Sequence, residues 1–149
     1  MKAVVQRVSD AQVIVNEEII GKIGQGFLVL LGIGYEDRQE DIDYLIRKIA
    51  QMRIFNDSDD KMNHSLNDIH GNCLVVSQFT LYADTRKGNR PSFVKAAKPE
   101  IARAMYQLFL DQLSKSIGQK VECGIFGADM KVSLTNDGPV TIILDSKER

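Results

Sequence analysis

The segment FLVLLGI, residues 27 to 33, is a continuous apolar run near the start of the chain. Such a run predicts a strand that is buried on both of its faces. Two segments with alternating polar and apolar residues precede it, at 2 to 8 and 11 to 15, and the connection IIGKIG at 19 to 24 is punctuated by glycine. The sequence therefore predicts an opening meander of three strands.

The hydrophobic period changes after this meander. Beyond Asp37, apolar residues recur at the spacing of an amphipathic helix, namely Ile42, Leu45, Ile46, Ile49 and Met52. A second helix is predicted to begin near Pro99, since proline is favoured in the first turn, and to end at Gly118. Between the helices, residues 55 to 72 are rich in Asn, Asp and Ser. That composition predicts a loop with at most a hairpin fragment.

Strand character returns in four segments: CLVVSQF (73 to 79), VECGIF (121 to 126), MKVSLT (130 to 135) and VTIILD (140 to 145). Short connections favour antiparallel pairing, with the helices packed on the sheet. We therefore predict an α/β fold with a largely antiparallel, barrel-like β-sheet and two main helices. The 149 residues suit a single domain, 1–149, with a frayed tail at 145–149.

Charge and composition exclude several classes of protein. The net charge is -1, so affinity for nucleic acid would have to come from a local basic patch. The N-terminus lacks the pattern of a signal peptide, and no apolar run approaches the roughly 20 residues that span a bilayer. We therefore expect a cytoplasmic protein without a membrane partner, in which Cys73 and Cys123 are reduced, buried thiols.

Common catalytic and binding motifs are missing from the sequence. It has no complete dinucleotide fingerprint, no phosphate-binding loop of the GxxxxGK[ST] type and no GxSxG elbow. His64 and His70 both lie in or beside the polar loop, and no Cys or His spacing is typical of zinc. The DSDD run at 57 to 60 lacks the glycine and glutamate of a calcium loop. We therefore expect neither a cofactor nor a metal.

The stretch SQFTLYADTRKGNR, residues 77 to 90, combines a polar strand end with a basic loop. Ser77, Gln78 and Thr80 interrupt an apolar strand, an arrangement suited to binding an uncharged ester through strand-end amides. Between Thr85 and Lys98 there are five basic residues and no acid, namely Arg86, Lys87, Arg90, Lys95 and Lys98. This asymmetry suits a phosphate backbone. Internal hydrogen bonding of the hydroxyls and a solvated loop are the structural alternatives.

The segment NDGPVT, residues 136 to 141, also has two interpretations. Asp137 and Gly138 are typical turn residues, so the segment can be a hairpin turn between the last two strands. A Gly-Pro bond can also adopt the cis form, which would point two successive carbonyls in one rigid direction. Such carbonyls could bind an ammonium group. The sequence pattern leaves both interpretations open.

Together, SQFTLY at 77 to 82 and NDGPVT at 136 to 141 resemble the paired signatures of the D-aminoacyl-tRNA deacylases. ADTRKGNRPSF (83 to 93) and the opening MKAVVQRV also resemble that family. The resemblance implies a homodimer in which the SQFTLY strand of one subunit lines a pocket for the 3′ terminal adenosine and its amino acid. Gly138-Pro139, in cis, would enter from the other subunit, bind the α-amino group and exclude an L side chain.

The reaction that the resemblance implies is hydrolysis of the ester between a D-amino acid and tRNA, with glycine mischarged on alanine tRNA as a further substrate. The RNA's own 2′-hydroxyl would help to activate water. We expect the Phe79 and Thr80 amides to stabilise the oxyanion, Gln78 to shape the adenosine pocket, and Thr80 to position the substrate, with Ser77 as a further candidate residue of the site.

From their charge, we infer that Arg86, Lys87 and Arg90 meet phosphates of the tRNA acceptor stem. A nucleic-acid-binding module that has kept the fold is the competing functional hypothesis. A purely structural oligomer would leave the polar strand end and the Gly-Pro segment unexplained.

Overall fold

The computed structural model describes residues 1–149. The chain forms two α-helices, α1 (Gln39–Gln51) and α2 (Pro99–Ile117). Its strands are β1 (Lys2–Val15), β2 (Glu18–Ile23), β3 (Gly26–Gly32), β4 (Phe55–Asn56), β5 (Met62–His64), β6 (Asn72–Ser77), β7 (Glu122–Cys123) and β8 (Lys131–Asp145). A 3₁₀ turn, Phe79–Tyr82, follows β6. Both helices and the hairpin fragment in the polar loop are thereby confirmed. The predicted opening meander is wrong in its strands: residues 2 to 15 form one strand, and the predicted connection lies largely in β2. The reason is that β1 is long enough to pair with β2 at its end and with β3 at its start.

One twisted sheet, in the order β2-β1-β3-β6-β7, forms the centre of the molecule, and β8 pairs with the other side of β1. The long strand β1 is antiparallel to β2, β3 and β8. A Cβ at Gly21 of β2 would lie 2.9 Å from the carbonyl oxygen of Cys123 in β7, so the ends of the sheet almost meet. The barrel-like, largely antiparallel sheet is therefore confirmed, and it is nearly closed.

Two pairings of this sheet are parallel, β3 with β6 and β6 with β7. The segment between β3 and β6 contains α1, and the segment between β6 and β7 contains α2. Parallel neighbours need such long crossovers, which the predicted short connections did not include. Neither helix is long and apolar enough to cross a membrane.

The strand β3 has a buried side chain on each face, as its apolar run predicted. Phe27 and Val29 pack in the core beneath the helices, while Leu28 packs in a second cluster inside the sheet. Cys73 is buried, which raises the pKa of its thiol, whereas Cys123 is only half-buried. Both are free thiols.

The four strands predicted after the first helix differ from the structure. The strand predicted at 73 to 79 ends at Ser77, and the strand predicted at 121 to 126 is limited to Glu122–Cys123. The last two predicted strands are one continuous strand, β8, so the hairpin-turn interpretation of NDGP is wrong. The physical reason is that both halves of β8 pair with the same strand, β1, on either side of Arg7.

The predicted frayed tail at 145–149 is also wrong at its first residues. Ser146 is buried, and its N–H donates to the carbonyl of Met1 over 2.9 Å. Its hydroxyl donates to the buried Asp41 carboxylate over 2.6 Å, and Lys147 forms a 2.8 Å ion pair with the same carboxylate. Burial opposes ionisation of Asp41, but these donors outweigh it and hold its pKa well below the usual value.

Candidate active site

The polar strand end lies where β6 gives way to the 3₁₀ turn. The Gln78 N–H donates to the Leu31 carbonyl over 2.8 Å, which fixes the end of β6 against β3. The chain then turns, with the Leu81 N–H donating to the Gln78 carbonyl over 3.3 Å. The N–H groups of Phe79 and Thr80 begin this turn, so they have no acceptor in a preceding turn. Two neighbouring backbone donors are therefore available to a ligand.

The Thr80 hydroxyl is held by its neighbour. The Gln78 side-chain amide donates a hydrogen bond to Thr80 Oγ1, and the hydroxyl itself donates to no side-chain base. Both histidines lie elsewhere, His64 in the short strand β5 and His70 at the end of the polar loop. A hydroxyl without a base is a weak nucleophile at neutral pH, so this geometry suits positioning.

A largely apolar cavity of about 610 Å³ opens beside this turn. Ser77, Gln78 and Phe79 line it, whereas Thr80 does not. Phe79 is 58% exposed, and its ring meets the Phe93 ring edge-on, with 5.1 Å between the centroids. Further walls come from β3, from the start of α2 and from the segment between β7 and β8. An enclosure of this size and polarity suits an aromatic base.

Sequence reasoning missed several residues that line this cavity, namely Phe93, Arg103, Phe126 and Met130. They come from three separate segments, and only tertiary packing brings them together. Phe93 closes the basic loop, and its place next to a predicted site was a local signal that could have identified it. The others had no local signal, because Arg103 is an ordinary charged helix residue and Phe126 and Met130 look like ordinary core residues.

The Gly-Pro segment lies in a wide bulge of β8. Gln6 pairs with Thr141 and Val8 with Asn136, so residues 137 to 140 all lie opposite Arg7 alone. The peptide bond between Gly138 and Pro139 is cis, and both residues are exposed. Neither lines the cavity of its own chain.

A buried arginine supports this bulge from behind. Arg7 is 6% exposed, and its Nε donates to the Asp137 carbonyl over 3.0 Å. Its Nη1 donates to the Ile54 carbonyl over 2.7 Å and to Asn56 Oδ1 over 3.1 Å. The Asn136 amide adds a bond to the Arg7 carbonyl over 2.9 Å. Arg7 thus ties the bulge to β4, a role that its place in an alternating strand did not indicate.

The three basic loop residues have different surroundings. Arg86 donates through Nε to both carboxylate oxygens of Asp84, at 2.9 and 3.1 Å, and this contact holds the pKa of Asp84 well below its usual range. Lys87 and Arg90 are exposed and have no ion pair. None of the three lines the cavity. The loop therefore presents two free cations and one neutralised arginine.

Comparison with known proteins gives consistent matches. A family model described as D-Tyr-tRNA(Tyr) deacylase matches residues 4–145. Over 149 residues the chain is 57% identical to a D-aminoacyl-tRNA deacylase of Christiangramia forsetii, and 58% identical to one of Flavobacterium psychrophilum. Each match covers 100% of this chain and 99% of the relative.

Solved structures share the fold. A protein named "c-Myc DNA Unwinding Element Binding Protein" aligns with a TM-score of 0.91 at 46% identity, covering 97% of this chain and 98% of its own. A probable eukaryotic D-amino acid tRNA deacylase aligns with a TM-score of 0.82 at 17% identity, covering 96% and 97%, which shows the fold alone. On the family match and the identities of its relatives, the chain belongs to the D-Tyr-tRNA(Tyr) deacylase family.

Proposed function

We propose that this protein is a chiral proofreading hydrolase, which cleaves the ester between a D-amino acid and the 3′ terminal adenosine of tRNA and releases both. Membership of the deacylase family supports the reaction class and tRNA as the substrate. The observation that carries the proposal is the apolar cavity beside the free Phe79 and Thr80 amides.

In this proposal the terminal adenosine occupies the cavity and its ester carbonyl lies at the 3₁₀ turn. The Phe79 and Thr80 amides would stabilise the oxyanion, and one such donor is typically worth about 10²–10³ in rate. Gln78 and Ser77 would shape the pocket, while Thr80 would position the ester through its backbone. Water activation would come from the 2′-hydroxyl of the RNA, since no side-chain base lies at the turn.

We propose that the working unit is a homodimer in which each Gly138-Pro139 segment enters the partner's cavity. Two observations support this. The segment is exposed and does not line its own cavity, and β8 is an edge strand whose Ile143 is 76% exposed. An isologous contact would bring two copies of each element together. The Gly138 and Pro139 carbonyls would then bind the substrate's α-amino group and leave no space for an L side chain.

Glycine has no side chain to exclude, so the same pocket would accept glycyl-tRNA mischarged on alanine tRNA. Lys87 and Arg90 would contact acceptor-stem phosphates, with Arg86 contributing less because of its pairing with Asp84. The proposed substrate is made and used in the cytoplasm, where we expect the enzyme to act.

The test is hydrolysis of D-tyrosyl-tRNA and L-tyrosyl-tRNA by the purified protein. We expect D-ester cleavage at least about 100-fold above the spontaneous rate, and L-ester cleavage at the spontaneous rate. Thr80→Val keeps the backbone amide and removes the hydroxyl, so it should cost only a few-fold in rate. A loss of about 10³-fold or more would instead make the hydroxyl a nucleophile. If neither ester is cleaved but DNA is bound, the protein is a nucleic-acid-binding module.

A further inference from the structure

Arg103 is the one ionisable residue among those that line the apolar cavity. It lies on α2, in the turn after the helix start at Pro99. The remaining lining residues are hydrophobic, or are neutral residues such as Ser77, Gln78 and Gly127. A single cation at such a cavity attracts the negatively charged end of a ligand and repels a positively charged end.

The guanidinium of Arg103 is seated on an aromatic ring. Its Cζ lies 4.9 Å from the centroid of Phe126. Phe126 in turn packs on Tyr106, with 5.8 Å between ring centroids, and the Tyr106 hydroxyl donates to the Val75 carbonyl over 2.8 Å. The Phe126 ring that contacts the guanidinium is therefore fixed to β6 through Tyr106. A cation over an aromatic face is held in place while its N–H donors can still bind an anion.

Arg103 has no anionic partner within the chain. It is exposed, and it forms none of the ion pairs of the molecule. Arg86, by contrast, is paired with Asp84. The cavity thus has a preset, unneutralised positive charge at one of its walls.

The proposed substrate has only one charge that suits this position. An aminoacyl-adenosine end carries a cationic α-amino group, which Arg103 would repel, and a phosphodiester on the 5′ side of the terminal nucleotide. We propose that Arg103 binds this phosphodiester, and so determines the direction in which the adenosine enters the cavity. The inference rests on the proposed function. It makes Arg103 a residue for binding and specificity, because it would contact the nucleotide away from the ester.

The experiment is equilibrium binding of adenosine and of the methyl ester of adenosine 5′-phosphate, measured by calorimetry on the full-length protein. The second ligand carries the one negative charge of a phosphodiester. We expect the wild-type protein to bind it about tenfold more tightly than adenosine, as a charge-assisted contact at an exposed site allows. In Arg103→Gln this preference should disappear, while adenosine binding changes less than about twofold.

Arg47→Gln is the matched control, because Arg47 also lies on an exposed helix face, 5.9 Å from the Tyr44 ring, and does not line the cavity. It should keep the tenfold preference. An undiminished preference in Arg103→Gln, or no preference in the wild-type protein, would overturn the inference. Hydrolysis of D-tyrosyl-tRNA is measured in parallel. A protein that shows the Arg103-dependent preference but does not cleave this ester retains the inference about nucleotide binding and loses the proposed function.

Discussion

The 3₁₀ turn at Phe79–Tyr82 and the bulge at residues 137 to 140 are both held firmly, but they face different surroundings. The turn is fixed by the backbone bond from Gln78 to Leu31 and borders an open cavity. The bulge is fixed by the buried Arg7 and projects outward, with no cavity of its own chain beside it. The 3₁₀ turn borders a binding cavity, whereas the bulge at residues 137 to 140 is a rigid projection from the surface. The difference fits the proposed homodimer, in which the projection of one chain would enter the cavity of the other.

The largest expected effect is a loss of stability when the side chain that supports the projection, Arg7, is replaced. Arg7→Met leaves the Asp137 and Ile54 carbonyls without their donors, so we expect the free energy of unfolding to fall by about 3 kcal/mol. Urea denaturation measures this loss. Arg47→Met, at an exposed position, should cost less than about 0.5 kcal/mol. A loss below about 1 kcal/mol in Arg7→Met would mean that the bulge does not depend on the guanidinium.

The next effect should fall on activity more than on stability. Gly138 has φ 132°, and an added Cβ would lie 2.7 Å from Val140 Cγ2 and 2.9 Å from the Val140 nitrogen. Gly138→Ala must therefore shift the projecting carbonyls. We expect kcat/KM for D-tyrosyl-tRNA to fall about 30-fold, since small displacements of positioning groups are costly.

Gly118→Ala is the control for this substitution, because Gly118 also has a positive φ but has free space around it. It should strain the end of α2 and leave kcat/KM nearly unchanged. Equal kinetic losses in the two variants would show that backbone strain alone explains the effect, without any role for the projection.

A smaller effect is expected at the C-terminal residues that pack against Asp41, which lie outside both regions. The pKa of Asp41 is well below its unfolded value of 3.8, so its ionised form contributes fully to stability above about pH 4. This contribution declines gradually as the pH falls from there towards the lower folded-state pKa. Asp41→Asn should therefore lower the free energy of unfolding by about 1.5 kcal/mol at pH 6 and by less at pH 3. Denaturation at both pH values, with the exposed Asp43→Asn as control, measures this.

The smallest effect concerns the basic loop. Replacing Lys87 and Arg90 together by glutamine should raise KM for D-tyrosyl-tRNA a few-fold and make the salt dependence of binding shallower, with D over L preference unchanged. Arg86→Gln should have a weaker effect, because Asp84 already pairs with Arg86. A stronger effect for Arg86 would show that the RNA displaces Asp84.

Much of the fold could be predicted because its signals are local. The spacing of Ile42, Leu45 and Ile49 was enough to place α1, and Pro99 and Gly118 bounded α2. The two strand-like halves around NDGP also had a clear local signal, yet the turn chemistry was misleading. Both halves pair with β1, and only the fold shows that Arg7 occupies the space opposite the bulge.

The candidate site was predictable only in part, for the same reason. Ser77, Gln78 and Thr80 stood out as polar residues in an apolar run, and the structure has the first two at the cavity. Arg7 and Arg103 looked like ordinary charged positions of a strand and a helix. Their importance comes from the residues that they meet, Asp137 for the first and Phe126 for the second, which are distant in sequence.

The most direct test of a site shared between two chains is complementation between two defective subunits. Phe79→Ala impairs the cavity and Gly138→Ala impairs the projection, so each protein alone should be nearly inactive on D-tyrosyl-tRNA. If a site combines the cavity of one chain with the projection of another, mixed dimers from co-refolding contain one intact site. Random pairing then restores about a quarter of wild-type activity. Activity in the mixture no higher than the average of the two variants would contradict the account.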